Sequence, residues 1–452
     1  MNQSFDPEWA WSEYQPTADA PWNLRAAAHL YRRAGFGANR AELTAAVEAG
    51  AIAAADNLLN AVTEPEDYQD EVADLAHASM ATGNVQQLSA WWAHRMLSTP
   101  AQLLEKVTLL WHGHFATSAQ KVEDAELMFD QNNLLRKYAL GDVAQLLQEI
   151  SRDPAMLIYL DSVTNRKAHP NENYAREIME LFCLGEGNYT ENDIRELARC
   201  FTGWEVKNKK FRFNRYQHDT QSKSVLGRTG KFGGEEGVKI VVEQDAAPQF
   251  IAMKLLKFLV MDEPSPSKEL LAPLARELRE NQMQIAPTVR RILTSNVFYS
   301  SHAKGRKVRS PVELAIGFLR SLQGTANSYE LAQKLQTLGQ GLLYPPSVKG
   351  WDGGRTWINS STLLGRSNLI RSLLDHEKTR FGKTSLAEHL ASEGAESADE
   401  IIDLFQTSLF AVDIPAAARD RIRTLFGNGD NRDEKLKDAV HALCTLPEFQ
   451  LC

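Results

Sequence analysis

The sequence predicts a mostly α protein, a multi-helix globular array carrying a small β insertion near residues 205–243. Apolar residues recur at helical spacing through most of the chain, and Pro, Ser, Asn and Gly stand where the periodic runs begin and stop. One stretch, rich in glycine, β-branched and basic residues, breaks that period. The 452 residues are 43% hydrophobic and 24% charged, the proportions of a chain that packs a core rather than a disordered or fibrous one.

Residues 1–24, with Trp9, Trp11, Pro16, Pro21 and Trp22, read as an irregular strap laid over a core. Residues 25–375 form the expected main domain, and 376–452 a C-terminal helical subdomain packed on it. From Asn23 onward Leu24, Ala27, Ala28 and Tyr31 take helical spacing, and Gly35 with Gly37 closes that helix before a second one. Residues 63–82 are acidic and read as a solvated face or loop. Core helices follow from Val85 to Leu110 and from Leu127 to Ile150. Within the insertion Phe211 and Phe213 alternate, and Val238 to Val242 reads as a further β run. Helices return at 248–260, 267–282, 287–294, 311–322 and 362–375, and the tail from Ser385 reads as three more.

Charge and composition exclude several classes. The formal charge is 50 − 58 = −8, which argues against a nucleic-acid binder, although residues 204–239 hold nine Lys or Arg against four Asp or Glu. The longest apolar run, Phe250 to Met261, is short and carries Lys254 and Lys257, so no membrane span is expected. The first residues lack the basic and apolar regions of a secretory signal, which predicts a cytoplasmic protein, or a periplasmic or surface one if a leader has been removed. Cys183, Cys200, Cys444 and Cys452 lack CxxC spacing, which predicts neither a disulfide scaffold nor a zinc ribbon and suits a reducing compartment. GxSxG, HExxH, P-loop, dinucleotide-fingerprint and kinase signatures are absent.

The chemistry-bearing residues cluster in a few segments. At 100° per residue, Asn173, Arg176, Glu177 and Glu180 share a wedge about 100° wide, opposite the apolar face of Tyr174, Ile178, Leu181 and Phe182. Glu177 and Glu180 are candidate acid–base groups or carboxylate ligands, and Arg176 with Asn171, Glu172 and Asn173 candidate ligand-binding groups. The same wedge is equally a solvated face with an Arg176–Glu180 pair. Gly185 is the expected C-cap, and Thr190 with Asp193 a capping box. His112 and His114 flank Gly113, where the preceding helix is expected to end; on an extended segment they would face one side and could chelate a divalent metal. His218-Asp219 is a candidate base or proton shuttle, with Lys223 an auxiliary cation for an anionic ligand. Trp351 and Trp357, in WDGGRTW, suit a planar or sugar-like ligand or, equally, packing. Lys304, Arg306, Lys307 and Arg309 read as a solvated charge run ahead of a helix start at Ser310-Pro311.

At HLYRRAGFG (29–37), WHGHFATS (111–118), 153–161, PNENYAREIMELFCLG (170–185), 189–204, His218-Asp219, 310–313 and LGQGLLYPPSVKGWDGGRTWIN (338–359), the sequence resembles the bacterial family called domain of unknown function 1800. The resemblance runs from the strap to about residue 370. It implies no established activity. Genes of that family often lie beside ones for secreted, sulfatase-like proteins, which implies a link to exported polymer metabolism and such a protein as a candidate partner. The polar residues shared with the family pattern are His112, His114, Asn171, Glu172, Asn173, Arg176, Glu177, Glu180, His218 and Asp219. Two functions are therefore expected of this chain: a polar, metal- or anion-binding pocket acting on a sugar-like substrate, or a non-enzymatic assembly module that holds a partner through the WDGGRTW loop and the strap.

Overall fold

A computed structural model describes residues 6–426 and 432–452. Among them are 25 α-helices and two antiparallel two-stranded sheets, so the protein is mostly α with a small β insertion. No helix among the described residues is long and apolar enough to cross a membrane.

The helix Gln102–His114 organises the interior. Eleven of its thirteen residues are buried, as expected of a helix surrounded by others. Leu103, Val107 and Trp111 join one buried apolar cluster, with the helices Leu24–Ala34 and Ala246–Leu259, and Leu109 joins a second, with Pro311–Ser321 and Ser360–Asp375. Two charges are buried with it. Lys106 bonds Glu313, and Glu105 takes Arg95 at 2.6 Å, Arg136, and the Trp92 indole N–H at 3.0 Å. Burial pushes the Glu105 carboxyl up, but Arg136 and Arg95 more than offset it and hold it down at about 2.

Several elements differ from the sequence expectation. The strap contains a short helix, Pro7–Trp11, capped by Asp6. Two of its indoles reach inward, Trp11 donating to the Leu270 carbonyl at 2.8 Å and Trp22 to that of Ala46 at 3.2 Å, while Trp9 is exposed. The acidic stretch is the helix Glu66–Ala81, which buries only Val72, Ala76 and Ser79, so it is a solvated face and not a loop. The described residues of the tail hold four α-helices rather than three: Leu386–Ser392, Ala398–Ser408, Ala416–Arg423 and Arg432–Thr445.

The insertion is β only in its first part. Trp204–Lys207 pairs with Lys210–Phe213 across a two-residue turn in which Asn208 and Lys209 both take positive φ, the geometry that matches strand twist. Lys223–Val225 pairs with Arg228–Gly230 in the same way. Val238 to Val242, expected as strand, lies in the helix Gly234–Val242. The Gly233 amide is capped by Glu236, and packing overrides the β-branched preference. Gly234 has to be glycine there, because a Cβ would meet the Trp204 ring at 2.1 Å.

Candidate functional site

Three of the segments singled out in the sequence meet at the end of the helix Gln102–His114. That helix continues through Gly113 to His114, so the two histidines diverge instead of sharing one side of an extended segment. The His112 ring lies edge-on to Trp92 and near Trp351, and its Nε2 accepts from the Leu343 amide at 3.2 Å. The His114 Nε2 donates to the Phe182 carbonyl at 2.9 Å, with Trp111, Phe115 and Phe250 around the ring. The two imidazoles are therefore opposite tautomers, each tying the helix to a different segment. Burial drives both far below the usual imidazole range, to about 3, with Lys254 adding to the effect on His114. Gly113 and Gly350 are in backbone contact: a Cβ on Gly350, which has a φ of 73°, would lie 1.9 Å from the Gly113 oxygen. That approach brings the VKGW segment to the HGH segment and lays the Trp351 ring on Gly113.

The PNENYARE segment begins at Asn173 as α-helix, Asn173–Glu177, and continues as π-helix, Ile178–Cys183. Its end is turned by Gly185 at φ 79°, as the sequence indicates. A π segment inside a helix is rare and recurs at functional sites, because it rotates the residues that follow it. His114 supports this segment through the Phe182 carbonyl.

Glu177 and Glu180 straddle the α-to-π junction. Both are partly exposed. The Tyr189 hydroxyl donates to Glu180 Oε2 at 3.0 Å. No described residue donates a hydrogen bond to Glu177. Burial first, and the charge of Glu180 second, raise its pKa from the ordinary carboxylate value, against Arg176 and Lys349. The Glu177 charge also raises the Tyr159 phenol, which burial has already raised. Glu177, Glu180, Tyr159, Tyr189 and Lys349 thus form one electrostatic neighbourhood. Tyr159, Tyr189 and Lys349 are not predicted as site residues, since no spacing in the sequence shows that they face the carboxylates.

The remaining candidates are held in other ways. Arg176 makes two 2.8 Å bonds to Glu191 and a weaker contact to Glu172, not the expected pair with Glu180. Asn171 binds the Asp161 carbonyl and Thr164, and its side-chain oxygen accepts from the Asn173 amide, so it caps this helix entry. Asn173 is itself exposed. His218 Nδ1 bonds the Thr202 carbonyl at 2.9 Å, while Asp219 accepts from Arg199 at 2.7 Å, so this histidine and carboxylate are not paired with each other. Lys223 is buried with its ammonium on the Asp219 and Gln221 carbonyls. Trp357 is buried. Among the described residues no three of His, Cys, Asp and Glu come together as a metal-ligand set.

A sequence model of a family described as a protein of unknown function, DUF1800, matches residues 29–451. The chain belongs to the DUF1800 family. The match takes in every segment that meets at this DUF1800 site, from the HGH helix to the VKGW loop. No curated protein and no solved structure matches the chain.

Proposed function

We propose that the Glu177–Glu180 pair is the working centre of this DUF1800 protein, and that it binds a neutral, sugar-like ligand with Glu177 as the proton-transfer group. The observation that carries the proposal is the contrast between two adjacent carboxylates. One is oriented by a phenol, and the other has no hydrogen-bond donor among the described residues and is raised in pKa by burial and by its neighbour's charge. Three residues apart on one helical segment, the pair fits proton transfer and hydroxyl recognition better than flanking attack on a glycosidic bond. Tyr159, Tyr189 and the partly exposed Trp351 supply aromatic surface suited to sugar rings. Anionic ligands suit the site less well, because the cations expected to clamp them, Arg176 and Lys223, are already engaged.

The experiment is a panel of neutral and anionic oligosaccharides screened against the wild type, E177Q and E180Q. Selective retention of neutral sugars, lost in both variants while their circular dichroism is unchanged, supports the reading. Equal retention by all three proteins contradicts it.

A second reading, a module that docks a partner such as a sulfatase-like protein, is favoured by Leu363 and Leu364. They are 43% and 64% exposed, directly after the WDGGRTW loop. Replacing both with Glu would abolish such docking and leave sugar binding intact.

A further inference from the structure

The basic excess of residues 204–239 survives folding as an exposed surface. The other basic run of the sequence does not: Lys307 and Arg309, expected to be solvated, are both buried, Lys307 against Asp262, which corrects that expectation. On the hairpin formed by Trp204–Lys207 and Lys210–Phe213, and in the loop after it, Phe213 is 49% exposed and Tyr216 70%. The Arg215 guanidinium lies 4.9 Å from the centre of the Tyr216 ring and donates to its hydroxyl at 2.9 Å. The turn 166–169 is tied to this loop by the Lys167 amide, which donates to the Gln217 carbonyl at 2.9 Å, so the exposed Lys167 belongs to the same surface. The carboxylates of the region are already engaged: Glu205 by Arg212 and Asn214, Asp219 by Arg199, and Asp124 with Glu126 by Lys209. Lys207 and Lys210 stand directly opposite each other across the hairpin, a like-charge pairing that destabilises it. Among the described residues Lys167, Lys207, Lys210 and Arg215 make no ion pair.

The complementary surface is on the same chain. At 100° per residue, Glu66, Asp67, Asp70 and Asp74 of the helix Glu66–Ala81 fall in a wedge about 100° wide, away from the buried Val72, Ala76 and Ser79. All four are exposed, and among the described residues none makes an ion pair. His77 lies in the same wedge, and Glu71 at its edge is bonded to His94 at 3.2 Å. Leu75, beside the acids, is 40% exposed, and Val62, just before the helix, 48%. Free carboxylates with an apolar flank on one surface thus match free cations with exposed rings on the other, and the two do not meet within one chain.

We propose that the hairpin surface docks the helix Glu66–Ala81 of a second copy of this chain. The carboxylates of that helix neutralise Lys167, Lys207, Lys210 and Arg215, and its Leu75 packs on the Phe213 and Tyr216 rings. A nucleic acid fits less well, because engaged carboxylates are interleaved with the free cations and the chain's net charge of −8 repels a phosphate backbone. The contact joins two different surfaces, so it closes as a dimer where both are used reciprocally and otherwise continues head to tail. It is independent of the Glu177–Glu180 reading.

The test is sedimentation velocity of the full chain over a range of concentrations at about 0.1 M salt, where surface charges act over about 10 Å. The wild type is expected to associate as its concentration rises, and to do so less at about 1 M salt. K167E/R215E reverses the hairpin surface and D67K/D70K the helix; all four positions are exposed, so both variants should keep the wild-type circular dichroism. Each variant alone should associate at least roughly tenfold more weakly, since like charges then face each other. An equimolar mixture of the two should recover association, because each reversed surface again meets its opposite. A wild type that stays monomeric at every concentration overturns the proposal, as does association that either reversal leaves unchanged, or a mixture no stronger than its parts. Binding of oligo(dT) or polyglutamate by a wild type that remains monomeric overturns it in favour of a nucleic acid or another acidic protein.

Discussion

His114 shows how a residue chosen for its chemistry can serve geometry first. Its Nε2 proton is used on the Phe182 carbonyl, and its Nδ1 is buried with no partner. Its folded pKa of about 3 lies below the ordinary imidazole value of 6.5, so the unfolded chain binds the extra proton between those values. Stability therefore falls as the pH drops through that window. His114→Gln should flatten the decline in melting temperature between pH 6.5 and 4, while lowering the melting temperature at pH 7. Asp153 has the opposite sign. It is buried, accepts from Gln131 at 2.7 Å and from the Met156 amide at 2.8 Å, and burial raises its pKa to about 7. The folded state holds that proton from 3.8 to about 7, so the Asp153 contribution falls as pH rises through this range. Asp153→Asn keeps both acceptor bonds and should melt higher than the wild type at pH 8, with the difference shrinking toward pH 4.

At the scale of elements, the close approach of Gly113 and Gly350 joins the HGH helix to the VKGW loop. Gly350→Ala would place a methyl 1.9 Å from a carbonyl oxygen in a left-handed conformation, and should cost at least about 2 kcal/mol in urea unfolding. Helix starts were legible in sequence wherever a side chain caps locally. The Thr190–Asp193 and Ser310–Glu313 boxes fall where their spacing puts them. Val238 to Val242 was not legible, because a β-branched run carries no mark of the Trp204 ring that Gly234 must fit beneath. The wedge of Asn173, Arg176, Glu177 and Glu180 was derived for ideal α geometry, and the π segment Ile178–Cys183 alters it from within. Nor could local spacing show that Arg176 would find Glu191, fifteen residues away, in preference to Glu180.

At the scale of the whole molecule, buried charge fastens the core together. Glu105 gathers Arg95, Arg136 and Trp92, and Trp92 in turn packs on His112. Glu105→Gln would leave Arg136 without its carboxylate partner and Arg95 with Glu64 alone. It should destabilise the fold by about 3–5 kcal/mol, measured by denaturant unfolding at pH 7. That core fixes where the HGH helix ends, and so where Glu177 and Glu180 are presented. The central claim is that this carboxylate pair, and not the histidines or the His218-Asp219 hairpin, binds the ligand. Calorimetric titration of the best neutral oligosaccharide from the panel into the wild type, the E177Q/E180Q double variant and H218Q tests it directly. The account predicts at least a roughly tenfold loss of affinity in the carboxylate variant, the scale of one charge-assisted hydrogen bond, and wild-type affinity in H218Q. Unchanged binding by the carboxylate variant, or a loss confined to H218Q, would contradict it.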